Sequence, residues 1–138
     1  MAYATADDII AIYGEETLTN VATPPRSDTV DEARVQRALD QASSEVDAYL
    51  SGRYTVPLPV ERVTPFLKQV VVNLAVYAMA LSLSAQTDEM RRRYEDAIKF
   101  LSAAASGKGG IGIGNEDDDA ASPGPDSRVV RTAFLMRA

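Results

Sequence analysis

Whether this chain can move a proton, hold a metal or grip a phosphate is decided largely by what it lacks. Its 138 residues include no histidine and no cysteine. That removes the usual general base, the commonest metal ligand and thiolate chemistry together. An enzyme built on it would have to work with Asp, Glu, Lys, Tyr or Ser alone. The run GGIGIG, Gly109 to Gly114, invites comparison with a phosphate loop. It lacks the G-x-x-x-x-G-K-[ST] pattern, no helical periodicity follows it, and the acids after it would repel a phosphate. The acidic run Glu116 to Asp119 places carboxylates consecutively rather than alternately and lacks the closing glutamate of a calcium loop. Paired carboxylates are numerous, but no pair is singled out by spacing.

Two other stretches carry chemistry of a softer kind. Arg91, Arg92 and Arg93 are adjacent, which raises nucleic-acid binding. On a helix the three point in different directions, and Asp88–Arg92, Glu89–Arg93, Arg91–Glu95 and Arg92–Asp96 all have i,i+4 spacing. A salt-bridged surface helix is the simpler expectation. The stretch SGRYTVPLPV, Ser51 to Val60, follows the best helical pattern with an arginine, a tyrosine and two prolines. Pro57 and Pro59 fix φ and disfavour helix in the residue before each, so an extended elbow is expected, with Arg53 and Tyr54 locking its corner. Asn73 and Tyr77, polar handles in an apolar run, are expected to make core or inter-subunit contacts.

The elements that must position these residues read as helices. Thr5 is an expected N-cap, with Asp7 and Asp8 in the first turn and Gly14 as the stop. A brief turn over 15–19 and a Pro-bearing loop over 20–28 follow. Thr29 and Glu32 have capping-box spacing ahead of Val35, Leu39, Ala42, Val46 and Tyr49 or Leu50, which predicts a helix over 29–51 closed by Gly52 in a left-handed conformation. Thr64-Pro65 opens a helix that is apolar nearly all round to Leu83, hence central. Thr87 caps a fourth, running to about Ala105 with Met90, Tyr94, Ala97, Ile98 and Leu101 inward. The result is an all-α bundle of about four helices, two of them long, over residues 1–106.

Beyond it the character changes. A Gly-rich, then acidic, linker spans 107–127, its first part consistent with a brief extended segment. Residues 128–138, RVVRTAFLMRA, are a basic and apolar docking tail. Hydrophobic residues make up 46% of the chain and its net charge is −6, values of a globular protein and not of a general nucleic-acid binder. The start lacks a basic, apolar leader, and the longest apolar run, Val70 to Ala80, is short for a bilayer. A cytoplasmic site of synthesis and no membrane partner are expected.

In order along the chain, YATADDIIAIYGEE, VDEARVQRALDQASSEVDAYLSGRYTVPLP, RRRYEDAIKFL and GKGGIGIG resemble the Mu-like prophage family of head–tail adaptor, or head-completion, proteins. The likeness covers roughly residues 3–114 and is most specific from Ala42 to Pro59. It implies a helical virion protein of the neck, assembled in the host cytoplasm, that is no enzyme and takes no cofactor. About twelve copies would form a ring beneath the portal protein. The ring would extend a channel through which DNA passes without specific binding, and would receive a downstream neck protein. In related connectors a C-terminal arm grips the portal. By that likeness Arg128, Val129, Val130, Arg131, Phe134, Leu135, Met136 and Arg137 are the docking residues, and Arg53, Tyr54, Pro57 and Pro59 are elbow or inter-subunit contacts. The competing reading is a small helical nucleic-acid-binding regulator acting through Arg91 to Arg93.

Overall fold

A computed structural model describes residues 2–107; the linker beyond Gly107 and the tail 128–138 lie outside the described residues. Five α-helices and one 3-10 turn make up the described chain: α1 (Ala6–Tyr13), α2 (Glu15–Ala22), α3 (Glu32–Leu50), the turn Val60–Arg62, α4 (Pro65–Ser82) and α5 (Asp88–Ala105). The all-α bundle is as expected, with five helices rather than about four and three of them long.

Local chemistry sets most boundaries. Thr5 and Asp8 form a reciprocal capping box at the start of α1. Gly14, at φ +94°, both ends α1 through its N–H to the Ile10 carbonyl (2.8 Å) and opens α2. Few residues other than glycine tolerate that φ. The turn expected over 15–19 continues to Ala22, since Leu18, Val21 and Ala22 are buried and reward the extra turn. Thr64 and Thr87 cap α4 and α5 as their sequences predict, with Pro65 at the first position of α4.

Both ends of α3 differ from expectation. Asp31, not Thr29, is the N-cap, its carboxylate accepting from the Arg34 N–H at 3.2 Å. Thr29 is held in the preceding turn by the Ser27 hydroxyl, while the Asp31 N–H bonds the Ala22 carbonyl. A carboxylate also suits the positive end of the helix better than a hydroxyl. At the other end Gly52 is not left-handed. The chain turns on through Ser51 in helical geometry, and the N–H groups of Arg53 and Tyr54 share the Leu50 carbonyl at 3.0 and 2.9 Å.

α4 is the axis of the bundle. It packs against α1, α2, α3 and α5, and every residue from Val70 to Val76 is buried. Among the described helices it is the one long and apolar enough to cross a membrane by length and composition. Here four neighbouring helices cover that apolarity, at about 1.5–3 kcal/mol per buried Val or Leu side chain. Met90, Ala97, Leu101 and Ala104 of α5 are buried against the core, with Tyr94 and Ile98 half-buried.

Candidate functional site

Three constellations of polar and aromatic side chains stand out, each joining parts of the chain far apart in sequence. The first is the corner after α3. Tyr54 and Leu58 of the elbow are buried, whereas Arg53, Pro57 and Pro59 are exposed. The Val56–Pro57 peptide is cis, and the segment closes into the 3-10 turn instead of staying extended throughout. Tyr3 ties this corner down. Its phenol donates to the Asp47 carboxylate and accepts the Leu58 N–H at 2.8 Å, and its own N–H donates to the Ser43 hydroxyl at 2.9 Å. Burial and the neighbouring Asp47 carboxylate push the Tyr3 pKa up to about 12.

Arg53 reaches toward the end of α5. Its guanidinium lies against Gly107, at φ +81° just past α5, where a Cβ would fall 2.3 Å from the guanidinium carbon. The elbow therefore touches the point at which the chain leaves the described domain.

The second constellation centres on Arg34, which its charge alone would assign to the outer face of α3. The side chain reaches across the bundle to the Val21 carbonyl (3.1 Å), the Met79 carbonyl (2.8 Å) and the Ser82 hydroxyl. Those carbonyls belong to the last turns of α2 and α4, so one cation serves two helix C-termini. The sequence did hold a signal, because an arginine in the first turn of α3 opposes that helix's own dipole and needs another purpose.

The third lies on the α4–α5 face. Tyr13 donates to the Asn73 side-chain oxygen at 2.8 Å, and the Arg93 guanidinium sits 4.7 Å over the Tyr13 ring. Burial raises the Tyr13 pKa, with Arg93 opposing. Tyr77 stacks on Tyr94 at 4.6 Å, and Phe66 meets Phe100 edge to face at 4.7 Å. Asn73 and Tyr77 thus find partners inside the fold. A cavity of about 260 Å³ opens between α4 and α5, with Phe66 and Phe100 among its walls.

The three arginines of the row share two carboxylates. Arg93 pairs with Glu89 at 2.9 Å, the i,i+4 contact expected, while Arg91 and Arg92 reach back three residues to Asp88 and Glu89 at 3.3 and 3.5 Å. Among the described residues, no group of three or more Asp or Glu side chains is arranged to hold a metal ion.

A family model for Gp36 of bacteriophage Mu matches residues 3–130. The chain belongs to that family. It is 37% identical over 116 residues to the Mu-like prophage FluMu protein gp36 of Haemophilus influenzae, covering 84% of this chain and 79% of that one. It is 33% identical over 124 residues to gene product J of Escherichia phage Mu, covering 89% and 84%. For this Gp36-family chain the match extends past 114, where the likeness visible in the sequence ended, and reaches Val129 and Val130. Membership makes it a protein of Mu-like phages and prophages, and a structural or morphogenetic role is what that family implies.

Proposed function

We propose that this Gp36-family protein is a head–tail adaptor, a structural component of the virion neck that assembles as a ring of copies beneath the portal and receives a downstream neck protein. The observation that carries the reading is the family match over 3–130, which takes in the whole helical domain and ends at Val130, within the basic, apolar tail. The docking residues are Arg128, Val129, Val130, Arg131, Phe134, Leu135, Met136 and Arg137, with apolar anchors entering the portal and arginines meeting its acidic surface. On the domain, exposed Val60 offers an apolar contact to a neighbouring copy, and Arg53, Pro57 and Pro59 precede it in the elbow. The domain's acidic balance suits a channel wall that DNA must pass without sticking. Neither catalysis nor a cofactor enters this role.

Co-expression with the cognate portal, with and without residues 128–138, tests it. The full chain is expected to co-purify with the portal and the truncated chain to be lost. Equal capture of both removes the docking tail, and capture of neither removes the adaptor reading. The nucleic-acid-binding alternative is disfavoured because the arginines it needs are each paired with Asp88 or Glu89. DNA binding at low salt that weakens on replacing Arg91 to Arg93 with alanine would revive it.

A further inference from the structure

The cavity between α4 and α5 joins two aromatic rings to an apolar lining. Buried Val70, Asn73 and Ala97 line it together with Phe66 and Phe100, and Gln69, Asp96 and Arg93 add its more exposed polar groups. Phe66 is 49% exposed although it sits edge-on to Phe100. With half-buried Phe100 and the apolar lining of the cavity it forms a concave apolar patch that an inserted side chain can cover. The volume, about 260 Å³, is below the ~300–1,000 Å³ of small-molecule sites, and fits one or two inserted side chains.

We infer that this groove is the docking site of the chain's own residues 128–138, with Phe134 seated beside Phe66 and Phe100. Three observations choose that occupant. The first is chemistry: the tail holds Val129, Val130, Phe134, Leu135 and Met136 within eight residues, and a third ring extends the edge-to-face pair already present. The second is charge. Residues 1–107 carry fifteen acidic against ten basic side chains, and residues 127–138 carry three arginines and no acid. The tail is therefore drawn to its own domain, with Asp96 in the groove lining as one acceptor, while Arg93 of the same lining is already engaged by Glu89 and the Tyr13 ring.

The third is reach. Phe100 precedes the exit at Gly107 by seven residues, about 10 Å of helix. The twenty residues 108–127 span up to about 70 Å, so the return is easily made. A tether of that kind supplies an effective concentration near the millimolar range. A neighbouring copy or a free partner at micromolar concentration competes poorly with it. Docking in cis keeps the apolar anchors covered until a better surface displaces them. That purpose rests on the adaptor reading, whereas the docking itself does not.

The absence of cysteine makes the test clean. Thr132→Cys in the full chain carries a nitroxide, and paramagnetic broadening of amide signals is read on the isotope-labelled protein. Broadening is expected to concentrate at Phe66, Gln69, Ala97 and Phe100, to persist on dilution, and to vanish with Phe134→Ala, a change outside the folded domain. A mixture of spin-labelled, isotope-free chain with labelled, spin-free chain is expected to show none. Equal broadening in the mixture would seat a second copy's tail in the groove and overturn docking in cis. Broadening that is absent, or spread evenly over the surface, overturns the groove altogether. Portal capture by the same full-length chain separates the two ideas: capture without groove broadening sinks only the groove, and broadening without capture sinks only the adaptor.

Discussion

Replacing Arg34 with methionine removes the guanidinium and keeps most of the apolar stem. In the native domain that guanidinium donates to the Val21 and Met79 carbonyls, at 3.1 and 2.8 Å, and to the Ser82 hydroxyl. A hydrogen bond from a charged donor contributes about 1.5–3 kcal/mol, and the half-buried position argues for the low end. Two carbonyls left without it, less the ~0.3–1 kcal/mol regained by removing a cation from the N-terminal turn of α3, give a loss of about 2–4 kcal/mol. For a domain with a total of roughly 5–15 kcal/mol, Tm should fall by roughly 10–25 °C at about 4–8 °C per kcal/mol. Urea unfolding followed by circular dichroism at ~222 nm reads the loss, with an unchanged slope certifying that only stability moved. Arg34→Lys is expected to fall between, since one ammonium lacks the planar fork that reaches both helix ends. A loss under about 0.5 kcal/mol for Arg34→Met, within the range of an ordinary surface change, would refute the bridging role. Full rescue by Lys would refute the fork.

Two further outcomes follow from the corner after α3. Tyr3→Phe leaves the buried Leu58 N–H without its acceptor and should cost about 1–3 kcal/mol. Because folding raises the Tyr3 pKa from 10.0 to about 12, its contribution is fully present below pH ~10 and is lost as pH climbs to ~12; Tyr13 and Tyr94 are raised too. Denaturant midpoints from pH 9 to 12 should fall less steeply in Tyr3→Phe, and an identical slope would refute the assignment. Gly107→Ala should cost about 1–2 kcal/mol for its left-handed φ, and more while Arg53 occupies the space a Cβ needs. A double-mutant cycle with Arg53→Ala should give a coupling above about 0.5 kcal/mol, and strict additivity would separate the two residues.

The sequence disclosed what is local and hid what is distant. Thr5, Thr64 and Thr87 were legible as caps because each acts on an N–H three residues away. Thr29 misled by the same rule, since Asp31 competed for the role and its carboxylate won. Arg34 reads as a surface charge until its partners, 13, 45 and 48 residues off, are brought beside it. Tyr3 bonds groups 40, 44 and 55 residues away, which no periodicity encodes. Gly52 looked like a left-handed stop, yet the turn through Tyr54 satisfies the Leu50 carbonyl without one.

The segments that carry the family likeness are the ones this corner ties together. Tyr3 comes from the first, Ser43, Asp47, Arg53, Tyr54 and Leu58 from the second, and Gly107 from the last. Composition makes Ser51 to Val60 an ordinary connector, whereas the fold gives several of its letters a set task. Tyr54 and Leu58 fill the core, Leu58 also holds the Tyr3 phenol, and Arg53 meets the chain where it departs toward the tail. A connector that joins the start of the domain to the point where the chain leaves it is restricted in which residues it accepts. In α4, by contrast, several apolar side chains of similar volume satisfy the packing.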